Sequence, residues 1–243
     1  MKFGNGCWLQ KEGCECFAPQ EVYFIKREHK KVTICAPTTR INHRGDTLGG
    51  VNLTIEITSP AKEVLRVKTS HYLGVKKTGP EFELETDEDM GLDVMEDDNI
   101  LRIASGSLAL VITKKNWSMT YERNGEVITK SSGRDLAYMK TDWMGLAYDK
   151  SMDDAYVRQE LSLSVGEIVY GMGERFTNFT KNGQSVDIWN EDGGTSTYQL
   201  YKNVPFYITD KGYGVFVNHP EKVSFEVGTE HLIVCLGHMM MKL

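Results

Sequence analysis

Over residues 51–58 apolar and polar side chains alternate without a break, Val51, Leu53, Ile55 and Ile57 against Asn52, Thr54, Glu56 and Thr58. A period of two is that of a strand with one buried face. No stretch of the chain sustains a 3.6-residue apolar period over about ten residues, so helices are not expected to build the core. Short β-prone runs divided by turn residues recur instead. EVYFIKREHKKVTICA, residues 21–36, reads as two strands around a polar turn at 28–31. Residues 64–72 are a plausible partner for the alternating run. Further on, runs 100–104 and 107–114 flank Ser105-Gly106, and runs 117–123 and 126–129 flank Asn124-Gly125, a pair that tolerates the positive φ of a tight hairpin. Strands are expected to resume at Leu161, Leu163 and Val165, then at 204–209, 214–218 and 223–227. Residues 131–156 show no clear period and are expected to form an irregular surface excursion, carrying at most a short helical turn and offering a contact surface to another domain or subunit. The fold class is all-β, an antiparallel β-sandwich.

The chain has 243 residues, enough for one large β domain. Its net charge of −6 is local, because residues 81–98 hold ten acids and no base. Such a run reads as a solvated loop or a soluble edge strand, lacks the D-x-D-x-D-G order of a calcium loop, and leaves no basic field for nucleic acid. The cysteines Cys7, Cys14, Cys16, Cys35 and Cys235 are odd in number, without a C-x-x-C pair or a Cys/His spacing for zinc. No metal and no cofactor are therefore expected. Free thiols suit a reducing compartment, and with no apolar leader or span at the start of the chain a soluble, cytoplasmic protein is expected.

Residues 170–207, YGMGERFTNFTKNGQSVDIWNEDGGTSTYQLYKNVPFY, concentrate glycine turns, aromatic rings and carboxylates in one segment. Aromatic faces stack on apolar sugar faces and carboxylates accept pairs of hydroxyl hydrogen bonds, so the segment suits a sugar-facing loop system. Aromatic-rich turns are equally ordinary corner packing in an all-β domain.

YGMGERF (170–176), NGQ (182–184), WNEDGGTS (189–196), YKNVPFY (201–207), GYGVFVNHP (212–220) and FEVG (225–228), together with RNGE (123–126) and the Trp8-Leu9 region, resemble in order and spacing the N-terminal domain of glycoside hydrolase family 31, within it most of all the bacterial α-xylosidases. The resemblance implies a galactose-mutarotase-like β-sandwich over residues 1–229. Residues 230–243 depart from the family pattern and are expected to be a divergent or truncated tail, in which His231, Cys235 and His238 are not read as a metal site. In the family the nucleophile and the general acid are two aspartates on a following (β/α)8 barrel, about 5 Å apart across the scissile bond. No counterpart of that pair is matched here, so no catalytic residue is assigned and the chain alone is expected to be inactive.

The same resemblance places the WNEDGGTS loop at the mouth of the barrel, with Asp192 orienting substrate hydroxyls, Thr195 and Ser196 as weaker candidates, and Trp189 as a stacking platform or the anchor of the loop. An Asx turn closed by Asp192 on itself is the alternative for that residue. Gly171, Gly173, Glu174 and Arg175 form a structural motif in which Glu174 and Arg175 are read as an ion pair. His219 is not assigned mutarotase chemistry. In the intact enzyme the implied partner is a carbohydrate, an α-xyloside or α-glucoside, along with the catalytic barrel. A stand-alone carbohydrate-binding module using Trp189, Tyr198 and Asp192 is one rival reading. An assembly domain of a homo-oligomeric parent is another.

Overall fold

The computed structural model describes residues 10–71, 86, 90–141, 155–190, 198, 202–229, 233–235 and 241–242, the side chains of 141, 233–235 and 241–242 excepted. In chain order the first strands are β1 (Cys14–Phe17), β2 (Phe24–Glu28), β3 (Lys31–Pro37), β4 (Asn52–Ala61), β5 (Val64–Ser70) and β6 (Asp93–Glu96). Next come β7 (Ile100–Ser105), β8 (Leu108–Thr113), β9 (Ser118–Arg123), β10 (Glu126–Ser132), β11 (Leu136–Thr141) and β12 (Ala155–Glu160). The last are β13 (Val169–Gly171), β14 (Gln184–Ile188), β15 (Phe206–Thr209), β16 (Gly214–Phe216), β17 (Val223–Val227), β18 (Ile233–Cys235) and β19 (Met241–Lys242). Among the described residues the helical content is one short 3-10 segment, Arg44–Leu48.

Four antiparallel sheets result, in the orders β1-β11-β12-β18-β17-β14, β10-β9-β8-β7-β6, β13-β15-β16 and β19-β5-β4-β3-β2. The alternating run becomes β4 as expected, with Leu53, Ile55 and Ile57 wholly buried. One core draws those side chains together with Val32 and Ile34 of β3, Leu65 and Val67 of β5, Leu101 and Ile103 of β7, Leu110 and Ile112 of β8, Tyr121 of β9 and Phe225 of β17. Burial pushes the Tyr121 and Tyr207 phenols far above their ordinary range. The Asn124-Gly125 hairpin forms with positive φ at both residues, 51° and 83°, joining β9 to β10.

Part of the acidic run is an edge strand. β6 closes one side of its sheet, and Glu96 accepts from Arg27 of β2 and, at 2.6 Å, from Lys114. At the β6–β7 turn the Asp97 carboxylate accepts the N–H groups of Asn99 and Ile100 at 2.7 and 2.8 Å. The Ile100 bond first, then that of Asn99, holds this carboxyl below its usual range. Charge on an edge strand discourages pairing with a further chain.

Two expectations are corrected. Within 131–156, the described residues are the end of β10, then β11 and the start of β12, which pair antiparallel from Leu136↔Gln159 to Lys140↔Ala155. The missing period has a physical cause, since this sheet is covered on both faces. Leu136 enters the main core, while Ala137 and Met139 bury against Cys14, Cys16 and Tyr156 on the other side. Conversely, residues 161–165 are not a strand. Leu161 is buried, but Val165 is fully exposed beside Gly166, whose φ is +75°. Ser162 caps the edge of β10, its N–H donating to the Lys130 carbonyl at 2.9 Å and its hydroxyl accepting from the Lys130 N–H at 3.0 Å. The strand Ile233–Cys235 lies between β12 and β17.

Truncating Ile55 to Ala should lower the unfolding free energy by about 2–5 kcal/mol, the range for deleting a buried aliphatic side chain. Val127→Ala, at an exposed position of β10, should change it by less than about 0.5 kcal/mol. Urea midpoints at unchanged slope measure both.

Candidate functional site

The glycine-rich turn after β13 owes its shape to a close approach of two main chains. A Cβ on Gly173 would lie 2.0 Å from the Lys202 carbonyl oxygen and one on Gly171 2.7 Å from that of Phe206, and both residues have positive φ, +81° and +117°. Only glycine fits there. Between them Met172 is buried at φ 67°, its N–H donating to the Phe206 carbonyl at 2.7 Å. The Glu174 N–H donates to the Lys202 carbonyl and the Phe176 N–H to the Tyr198 carbonyl, each at 2.9 Å. Residues 171–176 thus run along the chain that returns from the 189–201 loop.

Arg175 ties this turn to both ends of that loop. Its Nε donates to the Met172 carbonyl at 3.2 Å, and its Nη2 donates to the Asp187 carbonyl at 2.8 Å and to Asn203 Oδ1. Asn203 Nδ2 in turn donates to Asn190 Oδ1 and to the Trp189 carbonyl. The guanidinium also lies over the Tyr198 ring, 5.5 Å from its centroid. A residue before the loop, one after it and one ring within it therefore converge on a single side chain.

The expected Glu174–Arg175 ion pair is not the contact made. Glu174 Oε1 pairs instead with Lys202 Nζ at 3.1 Å, both side chains mostly exposed, because Arg175 turns inward while Glu174 points to solvent. Such a surface pair contributes little to stability. The Asp187 carboxylate is engaged elsewhere, accepting from the Ser224 hydroxyl and lying 3.4 Å from Lys222 Nζ. Burial lowers the affinity of Arg175 for its proton, and burial followed by the nearby Arg175 charge does the same for Lys181. Lys181 is 4% exposed and donates to the Thr177 hydroxyl at 3.1 Å and the Asn178 carbonyl at 2.7 Å.

Asp192, Thr195 and Ser196 lie outside the described residues. Trp189 is 44% exposed at the entrance to their loop, and Tyr198, Phe176, Phe179, Val204 and Ile208 are exposed on the same segment, with the Tyr170 and Phe179 rings 5.4 Å apart. His219 Nε2 and Glu221 Oε2 are 3.3 Å apart, two residues removed from each other in sequence. Among the described residues no group of three or more His, Cys, Asp or Glu is disposed to hold a metal. Asn203 escaped sequence reasoning. Its signal was present in the YKNVPFY run, but nothing local tells that an asparagine thirteen residues beyond Asn190 closes the loop.

The model of the glycosyl hydrolase 31 N-terminal galactose mutarotase-like domain matches residues 54–226. The chain belongs to this family. The α-xylosidase XylQ of Lactiplantibacillus pentosus is 41% identical over 96% of the chain, and an α-xylosidase of Emericella nidulans 38% identical over 95%. The chain spans 29% and 31% of the length of these two relatives. Among solved structures, a family 31 dextranase of Flavobacterium johnsoniae complexed with glucose superimposes with a TM-score of 0.68 at 16% identity, covering 93% of this chain and 26% of its own. A family 31 α-xylosidase from a soil metagenome gives 0.56 at 15%, covering 88% and 30%. These structures share the galactose-mutarotase-like fold with the chain.

Arg175→Ala and Asn203→Ala should each raise amide exchange in 189–203 at least about tenfold, a loss of about 1.4 kcal/mol of local stability, while β7–β9 amides keep their protection. Hydrogen exchange read by mass spectrometry checks this. Gly173→Ala should lose more than about 2 kcal/mol of global stability, because backbone and not a flexible side chain occupies the space of the new methyl.

Proposed function

We propose that this chain is a non-catalytic module that, in an intact α-xylosidase-like family 31 enzyme, contributes the 189–198 loop to the aglycone side of the substrate pocket. The parent reaction is retaining hydrolysis of terminal α-xylosides or related α-glycosides. The observation that carries this reading is the 41% identity to an α-xylosidase across 96% of the chain. Local geometry supports the loop's role. Arg175 and Asn203 hold its two ends, as a loop that must present Asp192 and Thr195 to a sugar requires.

The exposed rings and aliphatic groups of 170–208 favour packing against the remainder of the parent over a free platform. Exposed apolar residues recurring along one segment suit contact with another protein surface, and the Val204 and Ile208 side chains offer a sugar no hydrogen bonds. A half-exposed Trp189 is the feature that keeps a stand-alone carbohydrate-binding module as the second reading. Free thiols at Cys16 and Cys35 support a reducing, cytoplasmic setting. Among the described residues no helix is long and apolar enough to cross a membrane.

The purified chain should release no nitrophenol from p-nitrophenyl α-xyloside above a buffer control. A rate that persists through repurification and changes with a substitution in this chain overturns the non-catalytic assignment. Calorimetric titration with xylose, isoprimeverose and glucose separates the two binding readings. Heat that is absent for all three sugars is expected of half a pocket, whereas millimolar binding lost in Asp192→Ala shows a module that works alone.

A further inference from the structure

A cavity of about 350 Å³ opens far along the chain from the 170–207 segment, between β1 and the ends of β3 and β4, lined by Gln10, Cys16, Phe17, Gln20, Thr38, Thr39, Gly50 and Arg134. That volume falls in the lower part of the roughly 300–1,000 Å³ range of small-molecule sites. Its walls are tied by main-chain bonds. The Gln20 N–H donates to the Pro37 carbonyl at 2.9 Å, and the Thr38 N–H and hydroxyl both donate to the Val51 carbonyl, at 3.0 and 2.8 Å. On the far side Arg158 Nη2 donates to the Arg134 carbonyl at 2.7 Å and lies 3.7 Å from Cys16 Sγ, which fixes the 134 turn against β1. At the mouth Gly50 has φ +90°, and a Cβ there would come within 3.3 Å of Thr39 Oγ1.

Among the described residues the lining is mostly polar and holds no acid. Among the described residues the Arg134 guanidinium has no ion-pair partner and the Thr39 hydroxyl no hydrogen-bond partner. The carboxylate nearest in sequence, Asp135, is turned back to accept the Ser132 N–H. A second cation, Lys140 Nζ, lies 5.7 Å from the centroid of the Phe17 ring. An unpaired guanidinium at the cavity wall suits a carboxylate, which it binds through two parallel hydrogen bonds. Gln10, Gln20 and Thr39 supply the mixed donors and acceptors that hydroxyl groups need, and Phe17 supplies apolar surface.

We propose that this cavity binds a monosaccharide-sized sugar acid, its carboxylate on Arg134 and its hydroxyls on Gln10, Gln20 and Thr39. The site is separate from the loop of residues 189–198 and does not depend on the role proposed for it. A solvent-exposed rim limits the affinity to the millimolar range.

The test is an NMR-detected titration of the full chain with D-glucuronate, with D-glucose, acetate and inorganic phosphate as separate arms. Glucuronate should shift amides at 16–20, 38–39, 50 and 134, while glucose and acetate, each keeping half of the contacts, bind at least about tenfold more weakly. Arg134→Gln should weaken glucuronate at least about tenfold and Thr39→Val severalfold, with thermal melting unchanged because both side chains are exposed. Asp192→Ala should leave the titration as in the wild type. The proposal is overturned if glucuronate gives no shifts, if its shifts map to 170–207, if phosphate or acetate binds as well as glucuronate, or if Arg134→Gln binds it undiminished.

Discussion

The candidate site depends on two backbones that touch. Main chain at Gly171 and Gly173 approaches the carbonyls of Phe206 and Lys202 too closely for any side chain, and that contact sets where every other group in the segment lies. With the turn pressed against the returning chain, the Arg175 side chain is aimed at the carbonyl of Asp187 and the amide of Asn203 rather than at the neighbouring Glu174. Residues 187 and 203, on either side of the 189–201 stretch, are thereby fastened to one guanidinium. Arg175 can do this because its planar fork donates in several fixed directions at once, which lysine cannot.

The six-stranded sheet is the second constraint. β11 places Leu136 in the main core and Ala137 and Met139 in a smaller cluster with β1, while β17 is buried at every residue from Val223 to Val227. A strand covered on both faces has no solvent side to mark with polar residues, so its sequence loses the alternation by which strands are found. Excess charge lies at the margins of the domain, where Glu96 on the β6 edge meets Arg27 and Lys114. Two cations, Arg175 and Lys181, are partly or wholly withdrawn from water near the loop and donate to carbonyl, amide and hydroxyl oxygens, with Arg175 Nη1 left buried and unpartnered. Such neutral partners give a cation directional bonds without adding a countercharge, at the cost in proton affinity that burial imposes on both groups.

Family membership and likeness to solved structures bear on different levels. Identity of 41% across nearly the whole chain carries the likeness to α-xylosidases, whereas superposition at 15–16% identity speaks for the fold. A shared sandwich fold does not by itself carry a function.

Strict alternation in β4, the Asn124-Gly125 hairpin, the acidic edge and the ordered series of turn motifs from Tyr170 to Gly228 were legible along the chain, because each arises from residues adjacent or nearly adjacent in sequence. By itself the sequence therefore determined an antiparallel β fold and its family. Tertiary structure decided the rest. The pairing of β11 with β12, the insertion of Ile233–Cys235 between β12 and β17, the partner of Glu174 and the closing role of Asn203 all join residues brought together by sheet topology. A local pattern records which face of a strand is dry, but it holds no record of which distant strand or side chain will cover it.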